Sequence, residues 1–151
     1  MLIHELTREQ CLEVLMRASV GRLACARYGQ PYIVPVSFYF DGTDTCLYSF
    51  STVGQKIRWM RENPRVCVEV DEIGDHMHWT TVIVIGRYEE IPAGTGAGGA
   101  QSRALELFQQ RSDWWFPAAG KLAAGDDHDT PVVYRIHIDK VSGRRTAKPK
   151  S

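Results

Sequence analysis

The feature that most constrains this chain is a run of period-two patterning that begins at Arg22 and is broken twice by turn residues. Arg22 to Tyr28, Tyr32 to Phe40 and Thr45 to Phe50 read as strands, separated by Gly29-Gln30 and Asp41-Gly42. Alternation puts every second side chain on one face, and such pairs reverse the chain within two residues. Three strands joined this way form an antiparallel meander. Pro35 stands inside the second strand and has no N–H to give to a ladder. That strand is therefore an edge, a bulge, or a backbone whose hydrogen bonds go to a ligand lying against it.

The flanking segments complete an α+β pattern. Thr7-Arg8-Glu9-Gln10 reads as a capping box, with Leu6 and Cys11 as its hydrophobic staple. Leu12, Leu15 and Met16 continue as a helical stripe, so a first helix runs from Arg8 to Ala18 and Gly21 supplies its stop. Ser51 and Thr52 are placed to cap a second helix, Gly54 to Glu62, which Asn63-Pro64 ends. Val66, Val68 and Val70 alternate with Arg65, Cys67 and Glu69 in a half-buried strand, and Trp79 to Ile91 gives a longer one. Leu105, Leu107 and Phe108 place a third helix over Gln101 to Arg111, and Val132, Tyr134, Ile136 and Ile138 share one face of a final strand. The expectation is six antiparallel strands with about three short helices.

At 151 residues and 44% apolar composition, the chain supports one domain, read as 1–142, with a basic, flexible tail over 143–151 that carries Arg144, Arg145, Lys148 and Lys150. The zero net charge offers no field for nucleic acid. The longest apolar stretch, Val82 to Ile85, is too short to span a bilayer, and the first residues lack a basic leader, which points to the cytoplasm. Cys11, Cys25, Cys46 and Cys67 form no C-x-x-C pair and read as reduced thiols filling small apolar spaces. His76 and His78 lack a third ligand at useful spacing, so no metal is expected. Gly94 to Gly99 matches G-x-G-x-x-G, yet Pro92 separates it from the strand and no parallel strand follows, so it reads as a flexible loop. Trp114-Trp115-Phe116 reads as an aromatic cap on a core or a substrate-pocket wall.

The sharpest local signal is Ser49-Phe50-Ser51-Thr52-Val53-Gly54-Gln55-Lys56, which joins a strand end to a helix start. Unpaired N–H groups and the dipole make a helix N-terminus an anion site, and two hydroxyls and a lysine converge there. These residues outline a phosphate site.

Taken with its neighbours, this segment resembles a known family. The order Pro35-Val36-Ser37-Phe38, then Tyr48-Ser49-Phe50-Ser51-x-x-Gly54-Gln55-Lys56, then Asn63-Pro64-x-Val66-x-Val68, then Trp79-Thr80-Thr81-Val82-x-x-x-Gly86 is similar to the pyridoxamine 5′-phosphate oxidase-like FMN-binding family, in particular the branch with nitroimidazole-resistance reductases. The likeness covers Gly21 to Ile91, with a weaker echo at Arg135 to Arg144. It implies a six-stranded split β-barrel that forms a homodimer with FMN at the subunit interface. By position, the backbone at Pro35, Val36 and Ser37 would face the flavin ring, while Ser51, Thr52, Gln55 and Lys56 would hold the phosphate, with Tyr48 and Ser49 on the same cofactor surface. Trp79, Thr81 and Val82 of the other subunit would close over the ring.

The implied activity is an FMN-dependent oxidoreductase passing electrons from a reduced nicotinamide to a small organic acceptor, with no catalytic side chain assigned. Two departures bear on it. The branch often has His where this chain has Ser49, and Arg or Lys where it has Thr80; Arg58 and Arg61 stand near Lys56 as replacement cations. Two alternatives remain open: a non-catalytic flavin or haem binder or sensor, and a true pyridoxamine 5′-phosphate oxidase in which Arg135 and His137 would clamp the substrate.

Overall fold

A computed structural model describes residues 2–92, 104, 106 and 132–147. Its elements are β1 (Leu2–Glu5), α1 (Arg8–Arg17), β2 (Val20–Arg27), β3 (Gln30–Ser37), β4 (Tyr39–Asp41), β5 (Cys46–Ser51), α2 (Gln55–Glu62), β6 (Arg65–Asp75), β7 (His78–Ile91) and β8 (Val132–Ala147). All strand pairs are antiparallel, in the order β3-β2-β6-β7-β8-β5-β4, and β1 adds to β8. The α+β class and antiparallel sheet agree with the sequence reading. The described strands number eight rather than six, and the ladder does not close.

The two extra strands, β1 and β4, have different origins. β1 is four residues long and finds its partner at the far end of the chain, Leu2 opposite Ala147 and Glu5 opposite Arg144. No short-range pattern announces such a pairing. The predicted Tyr32–Phe40 strand divides at Phe38: its N–H donates to the Ser19 carbonyl at 3.0 Å, one step beyond the last β2–β3 pair, Val20–Ser37, and from Tyr39 the chain pairs with β5 instead. Of the predicted third helix only Ala104 and Glu106 are described, both helical; the glycine loop, the Trp114-Trp115-Phe116 cluster and the residues after Ala147 lie outside the described residues.

The capping box at α1 forms as read, the Thr7 N–H donating to Gln10 Oε1 at 2.9 Å and the Gln10 N–H to Thr7 Oγ1 at 3.2 Å. The stop differs. α1 ends at Arg17, Ala18 is already extended, and Gly21 lies inside β2. A Cβ on Gly21 would meet Val68 Cγ1 at 3.0 Å and the Glu69 carbonyl at 3.1 Å, so this glycine serves close strand packing. The first hairpin turns on Tyr28-Gly29, both at positive φ, one residue earlier than expected. Pro35 proves to lie on an edge strand, paired to Arg22 on its inner side.

The sheet curls around one main core. Leu23, Val68, Val82, Val84, Leu47 and Ile136 fill its inner face, where Cys11, Val14 and Leu15 of α1 and Ile57 and Met60 of α2 pack against them. A smaller cluster of Cys46, Tyr48, Ile91, Val133 and Ala104 covers the other face of β5 and β8. Cys11, Cys25 and Cys46 are buried free thiols, whereas Cys67 is exposed. Parity explains the exception, because Cys67 alternates with the inward Val66 and Val68. β8 continues through Gly143–Ala147, laddered to β7 and β1, where the sequence reading began a basic tail.

Candidate functional site

β5 delivers Ser51 to the start of α2, and the chain needs only Thr52, Val53 and Gly54 to enter the helix. The capping role expected of Ser51 and Thr52 is not taken: Gly54 is the N-cap and no side chain caps it. Ser51 Oγ instead donates to the Thr52 carbonyl at 2.9 Å and accepts from Lys56 Nζ at 2.6 Å. The first N–H groups of α2 thus keep no side-chain acceptor, beside a serine hydroxyl and an ammonium. Lys56 is half-buried, and burial holds its pKa below the usual lysine range. Among the described residues no carboxylate pairs with it. A desolvated cation without a counter-ion at a helix N-terminus suits a phosphate, whose charge would offset the burial cost. Thr52 and Gln55 are exposed on the same turn.

α2 lies on the β2–β3 hairpin, where the Tyr32 and Trp59 rings are 5.6 Å apart. Pro35 follows on β3 and is exposed, with Val36 and Ser37 half-buried. Ser49 and Tyr48 point opposite ways from β5. Ser49 is buried, and its Oγ donates to the Ser37 carbonyl at 2.5 Å, tying β5 to the end of edge strand β3. Tyr48 faces the second cluster, donating to Asp44 and accepting from Arg135 Nη1 at 3.3 Å. Burial, followed by the hydrogen bond to Asp44, pushes its pKa up to about 12. Neither side chain is aimed at the Ser51–Lys56 turn.

Trp79, Thr81 and Val82 divide by parity. Val82 is fully buried in the core. Trp79 and Thr81 line a groove of about 650 Å³ on the outer face of β7 and β8, with Ile83, Ser142, Arg144 and Glu5. Sequence reasoning missed the β8 and β1 contributors to this wall. The echo at Arg135 to Arg144 was the available signal, but the basic run beyond Gly143 looked like a tail.

None of the residues that line this groove belongs to the Ser51–Lys56 turn. The Tyr88 N–H bonds the Pro64 carbonyl where α2 hands over to β6, and Arg61 of α2 pairs with Glu90 at 2.8 Å. Trp79 lies nine residues from Tyr88 along β7, roughly 30 Å of extended strand. Arg61 is thereby committed, and Arg58 is exposed. Arg135 and His137 are also engaged, Arg135 Nε donating to Glu89 at 2.8 Å and His137 Nε2 lying 3.2 Å from the same carboxylate. His137 Nδ1 is 3.4 Å from Cys46 Sγ. Burial pushes the Cys46 thiol up to about 12, which leaves it a neutral packing group. His78 lies 2.9 Å from Asp75 in the β6–β7 turn. Among the described residues, no helix is long and apolar enough to cross a membrane.

The site thus sits on an α+β fold, an unclosed antiparallel sheet with a helix-start cation after β5 and a groove along β7 and β8. The chain belongs to the pyridoxamine 5′-phosphate oxidase family, whose model matches residues 7–145. It is similar to a FAD-binding protein from Mesorhizobium loti, with 44% identity, a TM-score of 0.80, and coverage of 97% of this chain and 100% of the other. An uncharacterised protein of Rhizobium meliloti is 35% identical over 149 residues, 95% of each chain. A candidate 5-nitroimidazole antibiotic resistance protein from Bacteroides thetaiotaomicron shares the fold at 17% identity and a TM-score of 0.65, over 96% of this chain and 89% of that one.

Proposed function

We propose that this protein is a homodimeric, cytoplasmic FMN-dependent oxidoreductase that takes electrons from a reduced nicotinamide and passes them to a small organic acceptor. The observation that carries the reading is Lys56, a half-buried cation with no carboxylate partner among the described residues, held by Ser51 at the start of α2. In this reading the α2 N–H groups, Ser51, Thr52 and Gln55 bind the flavin phosphate, with Lys56 supplying the charge. The ring lies along the free edge of β3, where Pro35 has no N–H to compete for solvent. Trp79 and Thr81 come from the second subunit in this reading, since the groove they line includes no residue of the Ser51–Lys56 turn. The bound flavin supplies the two-electron chemistry, and the protein orients the ring and excludes water.

The description of the Mesorhizobium loti relative as FAD-binding supports a flavin and makes FAD the competing ligand. The direct test is the absorption spectrum of the purified protein after incubation with FMN or FAD and desalting. Retained bands near ~370 and ~450 nm, those of an oxidised flavin, are the expected result with FMN. A dimer that retains neither flavin overturns the reading.

Ser49 motivates a second reading. Its hydroxyl is spent on the Ser37 carbonyl inside the barrel and delivers no proton to a ring on the outside. A non-catalytic flavin carrier or sensor would need none. A bound flavin that no nicotinamide reduces, and that no acceptor reoxidises faster than oxygen does, would favour this alternative.

A further inference from the structure

The outer-face groove holds two charged groups with no role so far, Arg144 and Glu5. Arg144 lines it beside Trp79, Thr81 and Ser142. Its register partners are Thr81 on β7 and Glu5 on β1, and Glu5 lies on the same wall. Even so, no ion pair or hydrogen bond engages the Arg144 guanidinium among the described residues. The next residue contrasts with it: Arg145 points to the other face, where its Nε donates to the buried Thr80 hydroxyl at 3.2 Å. One arginine is committed to the fold and the other is left in a groove with an indole, an isoleucine, two hydroxyls and, on the β1 side, the Glu5 carboxylate, with which it forms no ion pair. That set matches a planar, largely apolar ligand carrying negative charge along one edge, because a guanidinium presents a flat fork of donors and the indole a flat apolar face.

We propose that Arg144 of one subunit holds the polar edge of the flavin ring bound at the other subunit's Lys56 turn and favours the ring's reduced, negatively charged form. This rests on the flavin reading above. Uptake of two electrons and one proton leaves the ring with a net negative charge spread over N1 and the C2 carbonyl oxygen. The electrons come from the nicotinamide in the proposed reaction and from dithionite in the test. A guanidinium at that edge stabilises the reduced ring more than the neutral oxidised one, which raises the midpoint potential.

The test uses the full-length dimer loaded with FMN, as wild type, Arg144→Gln and Arg145→Gln, with oxidised-FMN affinity from fluorescence and the midpoint potential from dithionite titration against a reference dye. Arg144→Gln is expected to weaken the reduced flavin about tenfold more than the oxidised one, which moves the two-electron midpoint about 30 mV more negative. Arg145→Gln, on the opposite face, leaves the midpoint in place. If FMN binds and Arg144→Gln does not move the midpoint, or both variants move it equally, the assignment of Arg144 is overturned while the flavin reading stands. If the wild type binds no flavin, both fall together.

Discussion

The two faces of β7 differ little in composition and greatly in fate. Val82 and Val84 are 0% exposed, while Ile83 and Ile85, interleaved with them, are 46% and 47% exposed. The outer isoleucines have apolar company, because Ile85 stands opposite Cys67 on β6 and Cys67 opposite Ala24 on β2, which in turn pairs with the 65% exposed Ile33. An exposed sheet face this apolar is characteristic of a surface that another molecule covers. One face of the strand makes the fold, and the other is the surface that the proposed dimer would cover.

The sharpest way to break this comparison is to place the same charge on each face. Val84→Asp buries an unpaired carboxylate in the core and costs about 4 kcal/mol or more, enough to unfold a marginal domain. Ile85→Asp costs about 0.5 kcal/mol or less in the isolated chain, yet it is expected to turn a dimer into a monomer. Urea unfolding and sedimentation velocity read the two effects separately, and equal destabilisation by both would show that the outer face belongs to the fold of the single chain.

Lys56→Ala comes next in size. Loss of a charge-assisted hydrogen bond predicts FMN affinity weaker by about 1.5–3 kcal/mol by calorimetry; unchanged affinity would place the phosphate elsewhere. Ser49→Ala tests the inner face of β5. It removes the bond to the Ser37 carbonyl and is expected to lower stability by about 1 kcal/mol without loss of flavin, whereas lost binding with stability unchanged would return Ser49 to the site.

The smallest effect concerns Glu69, which faces Arg22 on β2 and Ile83 on β7 on the exposed side. Burial first, and then the neighbouring Asp71 carboxyl, push its pKa up to about 7. A carboxyl raised in the folded state stays protonated there while the unfolded chain ionises from about 4.5 upward. Its contribution is therefore fully present below pH 4.5 and is lost as pH rises through 7. Glu69→Gln should raise the melting temperature at pH 8 and change it little at pH 4; a larger gain at pH 4 would reverse the sign.

Much of the fold was legible because its causes are local. The capping box, the meander, the proline-marked edge and the Asn63-Pro64 stop each depend on residues within a few positions of one another. The register of β1 on Gly143–Ala147 was not legible, since partners about 140 residues apart leave no periodic trace. The site divides the same way. Ser51 and Lys56 are five residues apart and their contact was foreseeable. That Ser49 and Tyr48 would both be drawn into internal hydrogen bonds depended on which face of β5 each one occupied and on the remote Ser37 and Arg135.

By itself the sequence determined an antiparallel α+β domain, an apolar alternation on each long strand, and a lysine and hydroxyls gathered at one helix start. Only the tertiary structure decided which alternating set became the core and which became a face. It also decided which of two adjacent arginines was committed to a buried threonine and which was left in a groove. Patterning sets the period of a strand, but the pairing partners and the curl of the sheet set its inside and its outside.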